Sequence, residues 1–392
     1  MSTSFNPVRG MRDFGQQEMV TRNRILKTIQ TVTETNGFSN IQTPVVEMKD
    51  FLSKGNEESD NSKLGFSVLA DRSTSEAKMG LRYDLTVPLA RYFGANKAQL
   101  TLPFRAYQTG EVYRAERPQR GRYREFTQCD IDVIGDKTFM AELDILNTAF
   151  IVFEELNISN VNVIINDKKI LVRLLEQLGF SNEDMPAVLR EIDKLDKISL
   201  EKMQTNLAAL CDEGPVDALL KFIADVSECS DNASKITLVE TLVEDSFLID
   251  ILNFFDDKVI FNPFLARGMD YYTDIIFEVK AVDDNLSIAA GGRYDNFKDT
   301  VPAVGLSFGF ERIIPLVSVE EDNNKACVLV YDKNVNARDI FMTKQKLVND
   351  GFNVLLQPRP KNLTNLLNKL QNSYGYFVLL QADGEVVIKE IN

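Results

Sequence analysis

Apolar positions repeat with two different periods along the chain. Val20, Ile25, Ile29 and Val32 recur at helical intervals and predict a helix over 16–36, ending near Asn36-Gly37. Short extended runs follow at 41–46, 66–69 and 78–83, then a helix over 86–93. Runs 104–113 and 123–134 read as two strands, joined by a long charged loop with a turn at Arg117-Pro118-Gln119-Arg120-Gly121. An amphipathic helix is predicted over 139–153. From 168 to 255 the pattern is almost wholly helical, with breaks at Gly179-Phe180-Ser181-Asn182 and Gly214-Pro215. Strand patterns return at 274–279 and 286–290, and a further helix is expected from near Ser307. After the acidic linker Glu320-Glu321-Asp322-Asn323-Asn324, strands at 326–331, 352–357 and 376–381 outline a small β-α-β-α-β unit. No internal repeat is evident. The fold class is therefore α+β, with a mixed core interrupted by a helical insertion and closed by a small α/β unit.

Composition narrows the function classes. With 44% hydrophobic and 26% charged residues among 392, the chain reads as an ordinary globular protein of two or three domains. No apolar run reaches the length of a membrane span, and the N-terminus lacks the basic and apolar regions of a secretory signal. Cys129, Cys211, Cys229 and Cys327 are widely spaced with no CxxC pair, so reduced thiols in a cytoplasmic protein are expected. The sequence has no His, which removes Ser-His-Asp and Cys-His catalysis, imidazole-based zinc sites and any histidine base. Chemistry here has to run on charge, position and carboxylates.

A net charge of −14 argues against nucleic-acid contact, but its distribution does not. Residues 105–124 hold six Arg against Glu111 and Glu116, a local balance of +4. Residues 325–392 balance at +3, whereas 167–257 balance at −11. The acidity is concentrated in one middle segment, and local patches decide whether RNA docks.

Four segments carry candidate chemistry. The first is Gly110-Glu111-Val112-Tyr113-Arg114-Ala115-Glu116-Arg117-Pro118-Gln119-Arg120-Gly121-Arg122-Tyr123-Arg124-Glu125-Phe126. Strand alternation would aim some of its arginines onto one face of a sheet, and guanidinium groups suit a triphosphate; a solvated charged loop fits the composition equally well. The second is Phe264-Leu265-Ala266-Arg267-Gly268-Met269-Asp270-Tyr271-Tyr272-Thr273, followed by Gly291-Gly292-Arg293-Tyr294-Asp295. Its tyrosines fit a polar pocket or a strand packed on a core, and its Gly-Gly is a turn signal. In the third, Leu81-Arg82-Tyr83-Asp84-Leu85-Thr86-Val87-Pro88, Asp84 fits either a helix N-cap or an α-ammonium partner. The last is Val304-Gly305-Leu306-Ser307-Phe308-Gly309-Phe310-Glu311-Arg312-Ile313-Ile314. Its GxSxG spacing lacks the His that a hydrolase would need, and no P-loop or GxGxxG occurs.

In this order the segments resemble the three signature motifs of class II aminoacyl-tRNA synthetases and, more narrowly, the histidyl-tRNA synthetase family. The likeness begins at Arg9-Gly10-Met11-Arg12-Asp13, passes through Thr43-Pro44-Val45-Val46-Glu47 (similar to motif 1, at a dimer interface) and includes 190–199. Residues 110–126 are similar to motif 2 and 304–314 to motif 3, while 267–272 resembles a segment peculiar to the histidine enzymes and their close paralogues.

The resemblance implies a class II antiparallel sheet core over 1–166 and 258–319, a helical insertion over 167–257 and an anticodon-binding-like domain over 325–392. That last domain is shorter than the family's usual one and stops before its final helix. The implied substrates are ATP, with Mg2+ bridging its phosphates, L-histidine and tRNA(His); the implied assembly is a homodimer. Arg114 would touch the α-phosphate and the amino-acid carboxylate, and Arg122 and Arg312 the outer phosphates. Phe126 would stack on adenine, with Glu116 also at the nucleotide. Asp84, Leu85 and Thr86 would receive the α-ammonium group. Gln128, Asp132, Tyr271 and Tyr272 would line the imidazole pocket, and Arg267 would place charge near the α-phosphate. Arg117 and Gln119 would meet the acceptor end of the tRNA. The rival readings are a paralogue that binds histidine as regulatory subunit of ATP phosphoribosyltransferase, and a non-catalytic tRNA or histidine sensor.

Overall fold

The computed structural model describes residues 5–53, 65–69, 77–118, 121–195, 197–266, 272–282, 286–295, 301–318, 326–371, 373–381 and 386–391. It divides into two compact units, Met1–Phe14 with Thr21–Val317, and Gly15–Val20 with Ser318–Asn392. No helix among the described residues is long and apolar enough to cross a membrane.

Up to Asp167 the chain runs α1 (Gln16–Thr35), β1 (Ser39–Asn40), β2 (Val46–Met48), α2 (Lys49–Ser53), β3 (Ser67–Val68), β4 (Met79–Leu81), α3 (Thr86–Asn96), β5 (Phe104–Tyr113), β6 (Glu125–Ile134), α4 (Met140–Glu155) and β7 (Val161–Asp167). Six helices follow: α5 (Lys168–Gln177), α6 (Met185–Ile192), α7 (Leu200–Ala208), α8 (Glu213–Ser227), α9 (Asn232–Leu238) and α10 (Leu248–Phe255). The chain then forms β8 (Val259–Phe261), β9 (Ile275–Ala281), β10 (Leu286–Arg293), β11 (Ala303–Phe308) and the short α11 (Phe310–Ile313).

Eight strands make one sheet in the order β1-β5-β6-β11-β10-β9-β7-β8. Its six central strands are antiparallel, and β1 and β8 add parallel edges. The expected α+β core is thus present, with β2, β4 and β3 forming a separate small sheet.

The hairpin of β5 and β6 matches the alternation read at 104–134. Odd positions of β6 turn toward the helices. Thr127 receives a hydrogen bond from Arg22 of α1 (2.8 Å), and Phe308, paired with Cys129, packs edge-on against Phe153 of α4 at 5.7 Å. Even positions turn to the opposite face, which carries the site.

Several expectations are corrected. The run 41–46 is not one strand: β1 ends at Asn40, before it, and β2 begins only at Val46. Ser307 starts no helix but lies in β11, paired on both sides, and the helix begins at Phe310. Gly214-Pro215 is no break, since both residues sit in the first turn of α8, where proline's missing N–H costs nothing. Gly291-Gly292 is likewise within β10 rather than a turn. Strands β7 and β8, which frame the helical stretch, were not anticipated.

The second unit holds β12 (Ala326–Tyr331), α12 (Ala337–Asn349), β13 (Asn353–Pro358), α13 (Leu363–Leu370), β14 (Tyr376–Leu380) and β15 (Val386–Glu390). The sheet order is β13-β12-β14-β15, parallel except for the last pair. The expected β-α-β-α-β unit is extended by β15, a fourth strand the pattern had not marked. Its core gathers Cys327, Leu329, Ile340, Leu347, Val378 and Leu380.

Candidate active site

The even face of β6 presents Phe126, Gln128, Asp130 and Asp132 in a row. Cross-strand partners on β5 are Val112, Gly110, Gln108 and Ala106; on β11, Ser307 faces Asp130 and Gly305 faces Asp132. Small residues beside the carboxyls keep the floor open. A Cβ at Gly305 would overlap the Asp132 carboxylate and stand 3.1 Å from the Tyr294 ring.

Two buried side chains fix the wall opposite. Arg82 donates to the carbonyls of Glu111 (2.9 Å) and Thr43 (2.8 Å), passing over Gly110, where a Cβ would collide with its guanidinium. Gln108 donates to the Leu85 carbonyl (3.2 Å) and accepts from the Thr43 hydroxyl (3.2 Å). These bonds hold the turn Asp84-Leu85-Thr86 at the head of α3. Leu85 itself is fully buried, so its backbone and not its side chain is available to the site. Asp84 accepts from the Val87 N–H at 3.0 Å, a capping bond that uses Oδ1.

The carboxyls are crowded and dry. Burial raises the Asp84 pKa, and burial with the neighbouring Asp132 drives Asp130 well above the usual carboxylate range. Asp132 is pushed up to about 7 by burial, opposed by a hydrogen bond from the Tyr294 hydroxyl. Tyr272 lies near both; burial, then Asp130 and Asp132, raises its pKa. Gln128 Oε1, Asp130 Oδ1 and Asp132 Oδ2 are buried without hydrogen-bond partners among the described residues. Such a concentration of unused acceptors calls for a ligand rich in N–H donors.

Beside this pocket lies a cavity of about 300 Å³, whose walls include Arg114, Glu116, Arg122, Phe126, Gln128 and Arg312. Arg114 donates through Nε to the Tyr83 carbonyl (3.0 Å), and its guanidinium stands over the Phe126 ring at 5.0 Å. Arg312 donates to the Ser287 carbonyl at 2.9 Å. Exposed Arg122 brings to three the arginines that line this cavity together with the Phe126 ring, a donor set that suits a nucleoside triphosphate. The arginines of this block do not all share a face, however. Arg105 pairs with Asp144 of α4 (2.6 Å), Arg124 turns back to the Glu116 carbonyl (2.9 Å), and Arg117 is exposed.

Other members of the site had escaped sequence reading. Glu311, in the cavity wall, is held by Arg22 (2.9 Å) and Arg12 (3.1 Å). Arg22 is itself sandwiched by Phe14 (3.8 Å) and Phe310 (4.8 Å). The N-terminal run 9–13 thus braces the motif 2 and motif 3 segments, with the Arg124 N–H also bonded to the Gly10 carbonyl (2.7 Å). Asp130 could have been found by continuing the even-position register from Gln128 to Asp132. Ser307 and Tyr294 carried no local signal. Arg267, Tyr271 and Gln119 lie outside the described residues.

A family model described as histidyl-tRNA synthetase matches residues 10–313. The chain belongs to the histidyl-tRNA synthetase family. It is 34% identical to the histidine–tRNA ligase of Leifsonia xyli over 430 residues, covering 100% of this chain and 99% of that protein. It is 38% identical over 347 residues to the histidine–tRNA ligase of Bacteroides fragilis, covering 79% of this chain and 76% of that one. The crystal structure of histidyl-tRNA synthetase from Nostoc sp. PCC 7120 superposes with a TM-score of 0.77 at 25% identity, covering 99% and 97% of the two chains.

For a histidyl-tRNA synthetase family member, the raised pKa of Asp132 has a consequence for pH. With Asp132 expected to accept an N–H of the substrate, a bond that its ionised form accepts more strongly, the KM for histidine should fall as pH rises from about 6 to 8 through that pKa. Asp132→Asn should flatten this component, and an unchanged slope in exchange assays would refute the role. In the ligand-free protein the folded state keeps a proton that the unfolded state loses. The same group therefore costs stability as pH climbs from about 4 to 7. A second expectation concerns Gly305→Ala. Its Cβ has no room in a strand paired on both sides, so histidine KM should rise tenfold to a hundredfold, roughly the scale of overpacking, while ATP KM holds.

Proposed function

We propose that this chain is a histidine–tRNA ligase. It activates L-histidine with ATP, releasing pyrophosphate, and transfers the histidyl group to tRNA(His). The observation that carries the reading is the shared wall between the guanidinium-lined cavity and the pocket of unpaired carboxyl and amide oxygens, with Arg114 at the boundary. In the first step a carboxylate oxygen of histidine attacks the α-phosphorus of ATP, and the bond to the β-phosphate oxygen breaks. In the second, a terminal ribose hydroxyl of the tRNA attacks the acyl carbon and AMP leaves.

Two anions have to meet in line, so neutralising charge and fixing geometry are the main tasks. Arg114 serves the α-phosphate and the substrate carboxylate, Arg122 and Arg312 the outer phosphates, and Phe126 the adenine, with Glu116 beside it. Asp84 and Thr86 hold the α-ammonium group. Gln128, Asp132 and Tyr272 line the imidazole pocket, and an analogue without ring N–H groups would leave the buried oxygens of Gln128 and Asp132 unpaired. The resemblance assigns Tyr271 to the imidazole pocket, Arg267 to positive charge near the α-phosphate, and Arg117 and Gln119 to the tRNA acceptor end; Arg267, Tyr271 and Gln119 lie outside the described residues.

Among the described residues no group of three His, Cys, Asp or Glu forms a metal cage. Magnesium, which suits this chemistry, would rest mainly on phosphate oxygens and neutralise them. We assign 1–166 and 258–319 to the catalytic core, 167–257 to a helical insertion and 325–392 to a short anticodon-binding-like domain, in a cytoplasmic homodimer. ATP–pyrophosphate exchange with each of the twenty amino acids tests the reading. Exchange driven by histidine alone is the expected result. Histidine binding without any exchange would replace the ligase with a regulatory paralogue.

A further inference from the structure

The first turn of α5 carries cations where a helix favours anions. Lys168 and Lys169 follow the capping Asp167, and no acidic residue lies in that turn. Both ammonium groups are taken up by 272–274 instead. Lys168 Nζ donates to the Tyr272 carbonyl at 3.0 Å, and Lys169 pairs with the Asp274 carboxylate. The Lys168 backbone N–H adds a bond to the Asp274 carbonyl at 3.0 Å, so one residue grips the chain on both sides of Thr273.

Residues 262–274 join β8 to β9, and β7 lies between those strands in the sheet. Two strand spacings are about 10 Å, whereas this stretch of chain could extend beyond about 40 Å, so length does not fix its path. Side chains at the end of β7 hold its flanks. Asn166, fully buried, donates through Nδ2 to the carbonyls of Pro263 (2.9 Å) and Leu265 (3.0 Å), and Lys168 holds the opposite flank. Asn166 pairs with Ile276, Ile276 with Gly292, Gly292 with Gly305 and Gly305 with Asp132, one row from β7 to β6 on one face. The Tyr272 ring lies over this row: a Cβ at Gly292 would stand 3.0 Å from it. The ring also packs against the cluster that contains Tyr294, whose hydroxyl holds Asp132.

We propose that Lys168 is a positioning residue for amino-acid recognition, fixing the Tyr272 backbone so that its ring walls the histidine pocket beside Asp132. The inference rests on the ligase reading and deepens it. Lys168 touches no substrate; it acts through Tyr272.

Lys168→Met keeps the apolar stem and removes the donor. Histidine KM in ATP–pyrophosphate exchange should rise about fivefold to tenfold, the scale of one charge-assisted hydrogen bond, with kcat and ATP KM within about twofold. The thermal midpoint should hold, since relief of a cation at the helix start offsets the lost bond. Lys168→Arg, which retains a cationic donor, should stay within about threefold of the parent, and an arginine as damaging as methionine would contradict the bond. In a Tyr272→Ala background, Lys168→Met should add less than about twofold, because the ring it places is gone. Additive effects, an unchanged histidine KM or a parallel loss of ATP affinity would reduce Lys168 to a brace of the sheet and overturn the proposal. Equilibrium dialysis with labelled histidine reads the same cycle without catalysis. Histidine binding without exchange in the parent protein rejects the ligase reading, while the dialysis still decides the role of Lys168.

Discussion

Replacing Arg114 by alanine is expected to lower histidine-dependent ATP–pyrophosphate exchange by about a thousandfold while leaving the fold intact. In the proposed ligase reaction the side chain stands where two negative groups have to approach. It lines the arginine-walled cavity, and its charge is felt by Asp84 and Asp130 in the neighbouring pocket. Its Nε is committed to the Tyr83 carbonyl, and the Phe126 ring lies beneath the guanidinium, so the group is held before substrate arrives. A preorganised donor in a water-poor site contributes about 3–4 kcal/mol to a transition state that gathers charge, which is two to three orders of magnitude in rate. Arg114→Lys should recover little, because an ammonium cannot keep the Tyr83 bond and offer a planar fork as well. Exchange within tenfold of the parent protein, in a variant with unchanged thermal midpoint, would move the boundary role to another residue.

The second large effect is on stability. Glu142→Ala is expected to destabilise the protein by about 3–5 kcal/mol, because it strands a buried guanidinium. Arg293, at the end of β10, binds both Glu142 carboxylate oxygens at 2.7 Å. It also donates to the carbonyls of Asp136 (3.0 Å) and Thr138 (2.9 Å). The two charged side chains are 2% and 0% exposed, so water cannot replace the lost partner. Replacing both by methionine should cost less than the sum of the single changes. The pair attracts at the expense of desolvation, and removing it whole leaves neither of its two members orphaned, although Asp295, 3.6 Å from the guanidinium, loses a counter-charge and the two carbonyls lose donors. Urea unfolding of the single and double variants measures this, and strict additivity would refute it. The link to the site is short: Arg293 precedes Tyr294, whose hydroxyl holds Asp132.

What the sequence determined by itself was local. Alternation marked β5 and β6, helical spacing marked α1, α4 and the helices after residue 168, and the arginine-rich loop between the two strands pointed to phosphate. These signals depend on side chains two, three or four positions apart, which secondary structure places on a common face whatever the rest of the chain does. The family resemblance likewise rested on the order of such local segments.

Tertiary structure decided the rest. Ser307 read as a helix start because small residues precede it; strands on both sides hold it in β11 instead. The seven residues of β7 went unread between two helical stretches, and pairing with β9 and β8 places them in the sheet. Arg105 and Arg114 belong to one charged stretch, yet one meets α4 and the other the cleft. The site itself is made of pairs distant in sequence: Gln128 with Ser307, Asp132 with Tyr294, Arg22 with Glu311, Glu142 with Arg293. No periodicity links such residues. Their meeting depends on strand register across an eight-stranded sheet, where one step along a strand moves a side chain to the opposite face, and on burial, which turns ordinary carboxyls into unpaired acceptors only after the sheet has excluded water.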